Sequence, residues 1–105
     1  MIGTPTVSGS RKPLGYQQIA AGGLAAATKL TLPTLTGALA GFVVTYIVIQ
    51  AEAQAVRWRD DGTAPTAAVG MQIAAGGELD YTGDPSTIQF IQAVGGAILN
   101  VTYFG

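Results

Sequence analysis

The side chains that could do chemistry in this 105-residue chain are six carboxylates, because the sequence contains neither histidine nor cysteine. Glu78 and Asp80 lie two residues apart on one face of a predicted strand, as a pair of catalytic carboxylates could. Asp60, Asp61 and Asp84 offer the oxygen ligands that Ca²⁺ prefers. No DxDxDG-type calcium loop surrounds them, and no GxSxG motif activates a serine. We therefore expect no catalytic site, no metal site and no cofactor.

Glycine pairs can also form phosphate-binding loops, and the sequence has three pairs, at 22–23, 76–77 and 95–96. Such a loop needs a strand before it, a helix after it and a lysine near its end, and none of the pairs has this context. We interpret them as turns, with 95–96 as a two-residue hairpin turn. Asp60-Asp61-Gly62 predicts a further tight turn, because Asp-Gly tolerates the positive φ that tight turns require. No small-molecule substrate is expected at these positions.

The chain is short of charge, with 10% charged residues where soluble proteins average about 25%. So neutral a surface favours contact with a partner, and we expect a homo-oligomer or an assembly subunit. The five basic residues form no stripe, which argues against nucleic-acid binding. Arg57 and Arg59 flank Trp58, and strand alternation places both arginines on one face and Trp58 on the other. We interpret the two arginines as a pair at a sheet surface or a subunit contact.

Short apolar segments separated by turn signals, at a spacing of roughly ten residues, indicate an all-β protein. We predict a single small β-sandwich or jelly-roll-like barrel of seven or eight short antiparallel strands, formed by residues 16–105. An extended N-terminal arm, residues 1–15, precedes it. The predicted strands cover residues 16–19, 27–32, 42–49, 56–60, 71–73, 78–81, 88–94 and 97–104.

The predicted central strand, 42–49, is apolar at both sets of alternating positions, unlike a strand with one solvated face. A continuous apolar run predicts burial on both faces. We therefore expect one face of this strand to pack into the core and the other to contact a neighbouring subunit. The predicted interface residues are Val43, Thr45, Ile47, Ile49, Arg57 and Arg59.

Residues 35–49 form the most apolar run, and they raise the question of a membrane span. The run has about fifteen residues, fewer than the roughly twenty that a spanning helix needs. Its second half is rich in β-branched and aromatic residues, which favour a strand. We expect no membrane partner, and a small membrane-associated protein remains an alternative.

The hexapeptide Gln-Ile-Ala-Ala-Gly-Gly occurs twice, at 18–23 and at 72–77, about half the chain apart. A duplicated half that contributes similar strands would suit a two-sheet sandwich. The six residues are simple in composition, however, and the sequences around them match poorly. Duplication and coincidence both stay open on the sequence.

The order of segments between Val56 and Tyr103 carries a resemblance to a known family. The segments are VRWRDDGTAPT, GMQIAAGGELDYTGD, STIQFIQ and ILNVTYF. In this order they resemble small virion proteins of tailed bacteriophages, over about the last 45% of the chain. None of these segments is a catalytic motif, so the resemblance transfers no active-site residue.

The resemblance implies a small β-sandwich that serves as a structural component of the virion. We expect a capsid decoration or cement subunit, made in the host cytoplasm, that binds and stabilises the lattice of the major capsid protein. It also implies a homo-oligomer, and a trimer would suit the threefold positions of a shell. The alternatives are a neck, tail or baseplate component, or a carbohydrate-binding module on a fibre, with Trp58 and Tyr81 as the glycan contacts.

Overall fold

The computed structural model describes residues 11–105, and most of the arm predicted over 1–15 lies outside the described residues. One 3₁₀ turn, Gly37–Leu39, is the sole helical element in residues 11–105. The prediction of an all-β sandwich with seven or eight antiparallel strands is confirmed. The strands are β1 (Pro13–Ile19), β2 (Thr28–Lys29), β3 (Tyr46–Glu52), β4 (Val56–Arg59), β5 (Met71–Ile73), β6 (Glu78–Tyr81), β7 (Gln89–Gln92) and β8 (Ile98–Phe104).

The strands form two antiparallel sheets of four. Sheet 1 has the order β1-β8-β3-β6, and sheet 2 has the order β2-β7-β4-β5. The chain passes to the other sheet at each connection except β4–β5, which joins neighbours within sheet 2. The arrangement has an internal symmetry, because advancing every strand number by four converts the order of sheet 1 into that of sheet 2. The two halves of the chain therefore occupy equivalent places.

The core lies between the sheets and is apolar, with no polar or charged residue buried in the described part of the chain. Leu24, Ile49, Ile88, Phe90 and Leu99 have no exposed surface. Tyr103 brings a hydroxyl into this layer, and it donates a hydrogen bond of 2.7 Å to Gln17 Oε1. Burial raises the pKa of Tyr103 to about 12. The phenol therefore stays protonated in the folded chain.

The central strand differs from its prediction over 42–49. β3 begins at Tyr46 and continues to Glu52. Residues 42–45 precede it, after a positive φ of 89° at Gly41. The strand extends beyond the apolar run because Gln50 and Glu52 point outward while Ile49 and Ala51 stay buried. Alternation in the second half of the strand marked its true extent better than continuous hydrophobicity did.

Three other boundaries are corrected by strand pairing. The glycine pair 95–96 was predicted to be a hairpin turn, but it connects β7 of sheet 2 to β8 of sheet 1. β1 begins at Pro13, so the last three residues of the predicted arm belong to a strand. The strand predicted over 27–32 is reduced to Thr28–Lys29. In each case the sequence contained the local turn or strand signal, but it did not show which strand would pair with the segment.

The repeated hexapeptide closes a turn with the same backbone hydrogen bond in both copies, although Ala21 has a positive φ of 53° and the equivalent Ala75 does not. The Gly23 amide donates to the Ala20 carbonyl over 3.0 Å, and the Gly77 amide donates to the Ala74 carbonyl over 2.7 Å. The preceding glycine of each copy has a positive φ, as the turn requires. Each copy follows an edge strand and carries the chain to the other sheet. The repeat therefore marks two equivalent corners of the sandwich.

The apolar run 35–49 contributes a connection, the 3₁₀ turn and the start of β3. Within residues 11–105, no helix has the length and hydropathy to cross a membrane.

Candidate functional site

The two ends of the sandwich differ in their connections. Strand register places the start of β3 beside the end of β6 and the end of β8, through the pairing of Ile47 with Tyr81 and with Tyr103. We call this end the loop end, because it holds the two longest connections, 30–45 and 60–70, together with 82–88. The opposite end, which we call the turn end, holds the connections 20–27, 53–55, 74–77 and 93–97.

Exposed apolar side chains are concentrated at the loop end. Seven large hydrophobic residues are exposed in the described chain, and five of them lie there: Leu32, Phe42, Val43, Val69 and Met71. Of the other two, Val94 lies at the turn end and Tyr16 on the outer face of sheet 1. Exposed apolar side chains that cluster in this way mark a surface that contacts a partner.

One depression of about 410 Å³ opens at the loop end beside Trp58 and Met71. The ring of Trp58 meets the edge of Tyr81 at a centroid distance of 6.0 Å. The Tyr81 hydroxyl donates a hydrogen bond of 2.8 Å to Asp60 Oδ2. Burial and the nearby Asp60 carboxylate raise the pKa of Tyr81 to about 12. This packing fixes one wall of the depression, and Met71 with 62% exposure lines its open side.

The 60–70 connection is held against sheet 2 by arginines of the segment VRWRDDG, residues 56–62. Arg57 donates from Nε to the Ala67 carbonyl over 3.0 Å and from Nη1 to the Gly70 carbonyl over 2.9 Å. Arg59 pairs with Asp61 through two hydrogen bonds, which lower the pKa of that carboxyl. These charged residues therefore shape the loop end.

A second depression, of about 320 Å³, lies between the 32–44 segment and the turn at Asp84 and Pro85. Leu32, Phe42 and Val43 contribute its apolar walls. Asp84 is oriented locally, because its Oδ1 accepts hydrogen bonds from the amide and the hydroxyl of Ser86. These bonds lower the pKa of Asp84. The loop end thus presents two apolar depressions.

The six predicted interface residues are separated by the fold. Val43 and Thr45 are exposed at the loop end, where Val43 is 69% accessible. Ile47 and Ile49 are 1% and 0% exposed, because they point into the core from β3. They present no surface to a partner in the folded chain. Arg57 and Arg59 are half-buried on the outer face of sheet 2.

The other candidate residues do not form a reactive group. Glu78 and Asp80 share the outer face of sheet 1, and both are exposed to solvent. Trp58 and Tyr81, the predicted glycan contacts, pack against each other, and Tyr81 is buried. Residues 11–105 contain no cluster of three side chains that could hold a metal ion.

Sequence reasoning missed a polar surface on the outer face of sheet 1. It is formed by Tyr16, Gln18, Gln50 and Asn100, which come from three different strands. Their positions in the sequence give no sign of contact, because up to 84 residues separate partners such as Tyr16 and Asn100. Only the register of β1, β8 and β3 brings them together.

No protein-family model, curated protein or solved structure matches the chain.

Proposed function

We propose that the chain is a non-enzymatic structural protein of a tailed-bacteriophage virion, a capsid decoration subunit that attaches to the major capsid protein through the loop end. The observation that carries the proposal is the concentration of exposed apolar residues at that end. Apolar anchors seated in depressions and surrounded by polar groups are the usual anatomy of a protein–protein contact. Here Arg59 and Asp61 lie at the border of the Trp58–Met71 depression.

We further propose that the sandwich is a jelly roll. An eight-strand, two-sheet architecture of this kind is common among viral capsid and lectin domains. The strand orders β1-β8-β3-β6 and β2-β7-β4-β5 support this assignment, as does the passage from one sheet to the other at all but one connection. A fold by itself does not fix a function. The jelly roll is compatible with a capsid role, and the exposed apolar residues of the loop end support that role directly.

A homo-oligomer, with a trimer as the expected form, belongs to the same proposal. Repeated contacts between several copies and a lattice strengthen attachment without any single tight site. Sedimentation equilibrium of the purified chain measures the number of copies. A monomer at all concentrations would contradict this part of the proposal and leave the attachment surface to be tested separately.

The attachment surface is tested with two matched variants, Val43→Asp and Val94→Asp. Both valines are exposed, at 69% and 56%, but Val43 lies at the loop end and Val94 at the turn end. Each purified variant is mixed with particles of a phage that lacks the gene for this chain, and co-sedimentation measures binding. We expect the wild-type chain and Val94→Asp to bind, and Val43→Asp to remain in the supernatant.

Two results would count against the proposal. If the wild-type chain does not bind the deleted particles, or electron microscopy locates it on the neck, tail or baseplate, the capsid decoration role is wrong. If Val94→Asp loses binding while Val43→Asp retains it, the attachment surface has been assigned to the wrong end.

A further inference from the structure

The outer face of sheet 1 carries a row of four hydrogen-bonding side chains, one from each strand. Gln18 of β1 lies opposite Asn100 of β8. Asn100 lies opposite Gln50 of β3, which in turn lies opposite Glu78 of β6. Residues directly opposite on adjacent strands share a face of the sheet. Three of these residues are amides and Glu78 is a carboxylate. We call the four residues the amide row, and the row crosses the whole sheet.

Asn100 fixes the orientation of the row. Its Oδ1 accepts hydrogen bonds from the Tyr16 hydroxyl over 2.6 Å and from Gln18 Nε2 over 3.0 Å. Its Nδ2 donates to Gln50 Oε1 over 3.3 Å and to Glu52 Oε1 over 2.8 Å. Side chains that are held before a ligand arrives lose less conformational freedom when it binds. Gln18, Asn100 and Gln50 are therefore organised in advance as a hydrogen-bonding surface.

Tyr16 adds an aromatic platform at one edge of the row. The residue is 61% exposed, yet its hydroxyl is tied to Asn100 on the neighbouring strand. This bond directs the ring toward β8 and restrains its orientation. A rigid tyrosine gives contact area at low entropic cost and keeps a polar tip. Within residues 11–105, Tyr16 is the one large hydrophobic residue that is exposed on the outer face of sheet 1.

The row and Tyr16 line a shallow depression of about 480 Å³. Sites for small ligands span about 300–1,000 Å³ but are mostly apolar. This depression is lined mainly by amide, carboxylate and hydroxyl groups, with Val48 between them. Glu52, Glu78 and Asp80 outnumber Arg11, whose guanidinium lies 4.0 Å from the centre of the Tyr46 ring on the same face. The net negative charge repels an anionic ligand and the same face of a second copy. The surface chemistry therefore suits a neutral ligand with many hydroxyl groups.

We propose that the amide row binds a neutral linear oligosaccharide that lies across the strands of sheet 1. Each sugar hydroxyl both donates and accepts a hydrogen bond, and an amide side chain offers both partners. Adjacent strands are about 4.8 Å apart, on the order of the length of one sugar ring. Successive rings would thus meet successive strands, and the ring at the β1 edge would stack its C–H face on Tyr16.

This site is separate from the loop end, so its test needs no phage particle. Cellohexaose, maltohexaose and mannohexaose are titrated one at a time into the ¹⁵N-labelled full chain, and amide chemical shifts are followed by NMR. We expect at least one of the three to give saturable shifts in the backbone amides of Gln18, Gln50 and Asn100. No saturable shift with any of them, or shifts confined to another surface, would overturn the proposal.

Variants test the residues. Tyr16→Ala and Asn100→Ala should each weaken the binding of the responding hexasaccharide by about tenfold or more, which corresponds to the loss of one well-formed contact. Gln72→Ala is the matched control, because Gln72 is an exposed residue on β5 at the far sheet. Equal weakening by Gln72→Ala, or no weakening by Tyr16→Ala, would overturn the assignment. Circular dichroism verifies that each variant is folded, and Tyr16→Ala, at an exposed position, keeps the test valid if Asn100→Ala does not fold.

Discussion

The loop end and the turn end of the sandwich are built from the same eight strands but present different surfaces. At the turn end, short connections rich in glycine carry the chain between the sheets, and the hexapeptide at 18–23 and 72–77 makes two of the corners. At the loop end, longer connections expose Phe42, Val43 and Met71 around two depressions.

This difference separates two kinds of residue that hydrophobicity alone does not distinguish. A β-branched residue in β3 stabilises the sandwich, whereas the same kind of residue a few positions earlier is available to a partner. Ile47 and Val43 illustrate the contrast, since one is buried and the other is exposed in a continuous apolar run. Substitutions that affect folding and attachment separately can therefore test the comparison.

The largest effect is expected from Ile47→Asp, because it places a carboxylate in the core with no partner. The free energy of unfolding should fall by more than about 4 kcal/mol, enough to leave most of the chain unfolded. Urea denaturation followed by tryptophan fluorescence measures the change. A folded Ile47→Asp variant that only loses particle binding would show that Ile47 belongs to the contact surface after all.

Alkaline pH should produce the next largest effect, through Tyr81 at the loop end and Tyr103 in the core. Both pKa values are raised to about 12 from an unfolded value of 10.0, so the fold favours the neutral phenols. Their contribution is fully present below about pH 10 and is lost as the pH rises toward 12. Between these values each tyrosine should lower the free energy of unfolding by about 1.4 kcal/mol per pH unit.

Urea denaturation at about pH 9 and about pH 11 measures this slope, and absorbance at the phenolate band reports the ionisation itself. Burial and the nearby Asp80 also raise the pKa of Tyr46, so a third phenol contributes to the slope. Tyr103→Phe removes one of these groups and should make the slope shallower. A slope that Tyr103→Phe leaves unchanged would contradict the assignment of this residue.

At the turn end, Gly77→Ala should cost about 1–2 kcal/mol of unfolding free energy. A Cβ at Gly77 would lie 2.9 Å from the Ala74 carbonyl oxygen, so the turn must shift. Gly95→Ala is the control, because a Cβ there meets no atom within 4 Å. Thermal unfolding should separate the two variants, while both keep particle binding. Loss of particle binding by Gly77→Ala in its folded state would give the turn end a role in attachment.

The smallest change in stability is expected from Met71→Asp, at 62% exposure on the loop end. Its free energy of unfolding should stay within about 0.5 kcal/mol of the wild type, while co-sedimentation with particles is lost. Gln72→Asp introduces the same charge one residue later, on the outer face of sheet 2, and should bind normally. If both variants bind, Met71 is not part of the attachment surface.

Much of the fold could be predicted from local sequence. Alternation located β4, β5, β6 and β8 to within a residue, and Gly62 has the positive φ that its Asp-Gly turn predicted. Which strands pair with one another could not be predicted in the same way. The turn at 95–96 carries the same local signal whether the next strand joins the same sheet or the other one.

The candidate surfaces follow the same division. The depression beside Trp58 is lined by residues between positions 58 and 71, which are already close together in the sequence. The amide row depends on pairings between positions 18, 50, 78 and 100, which only the register of sheet 1 creates. The sequence predicted burial for the whole of 42–49 and did not separate the exposed Val43 from the core residues Ile47 and Ile49, because an apolar run gives no indication of where a connection ends and a strand begins.

The two halves of the chain, β1–β4 and β5–β8, occupy equivalent places in the sandwich, and this symmetry determines how the chain folds. All six strand pairings in the described chain join one strand from β1–β4 to one from β5–β8. A protease cut in the 60–70 connection would therefore release two fragments, neither of which holds a single native strand pair. Each fragment should be unstructured alone and form sheet only when mixed with the other. In the intact chain, the same interleaving makes folding all-or-none and slow, because no early local hairpin except β4–β5 can form before distant parts meet.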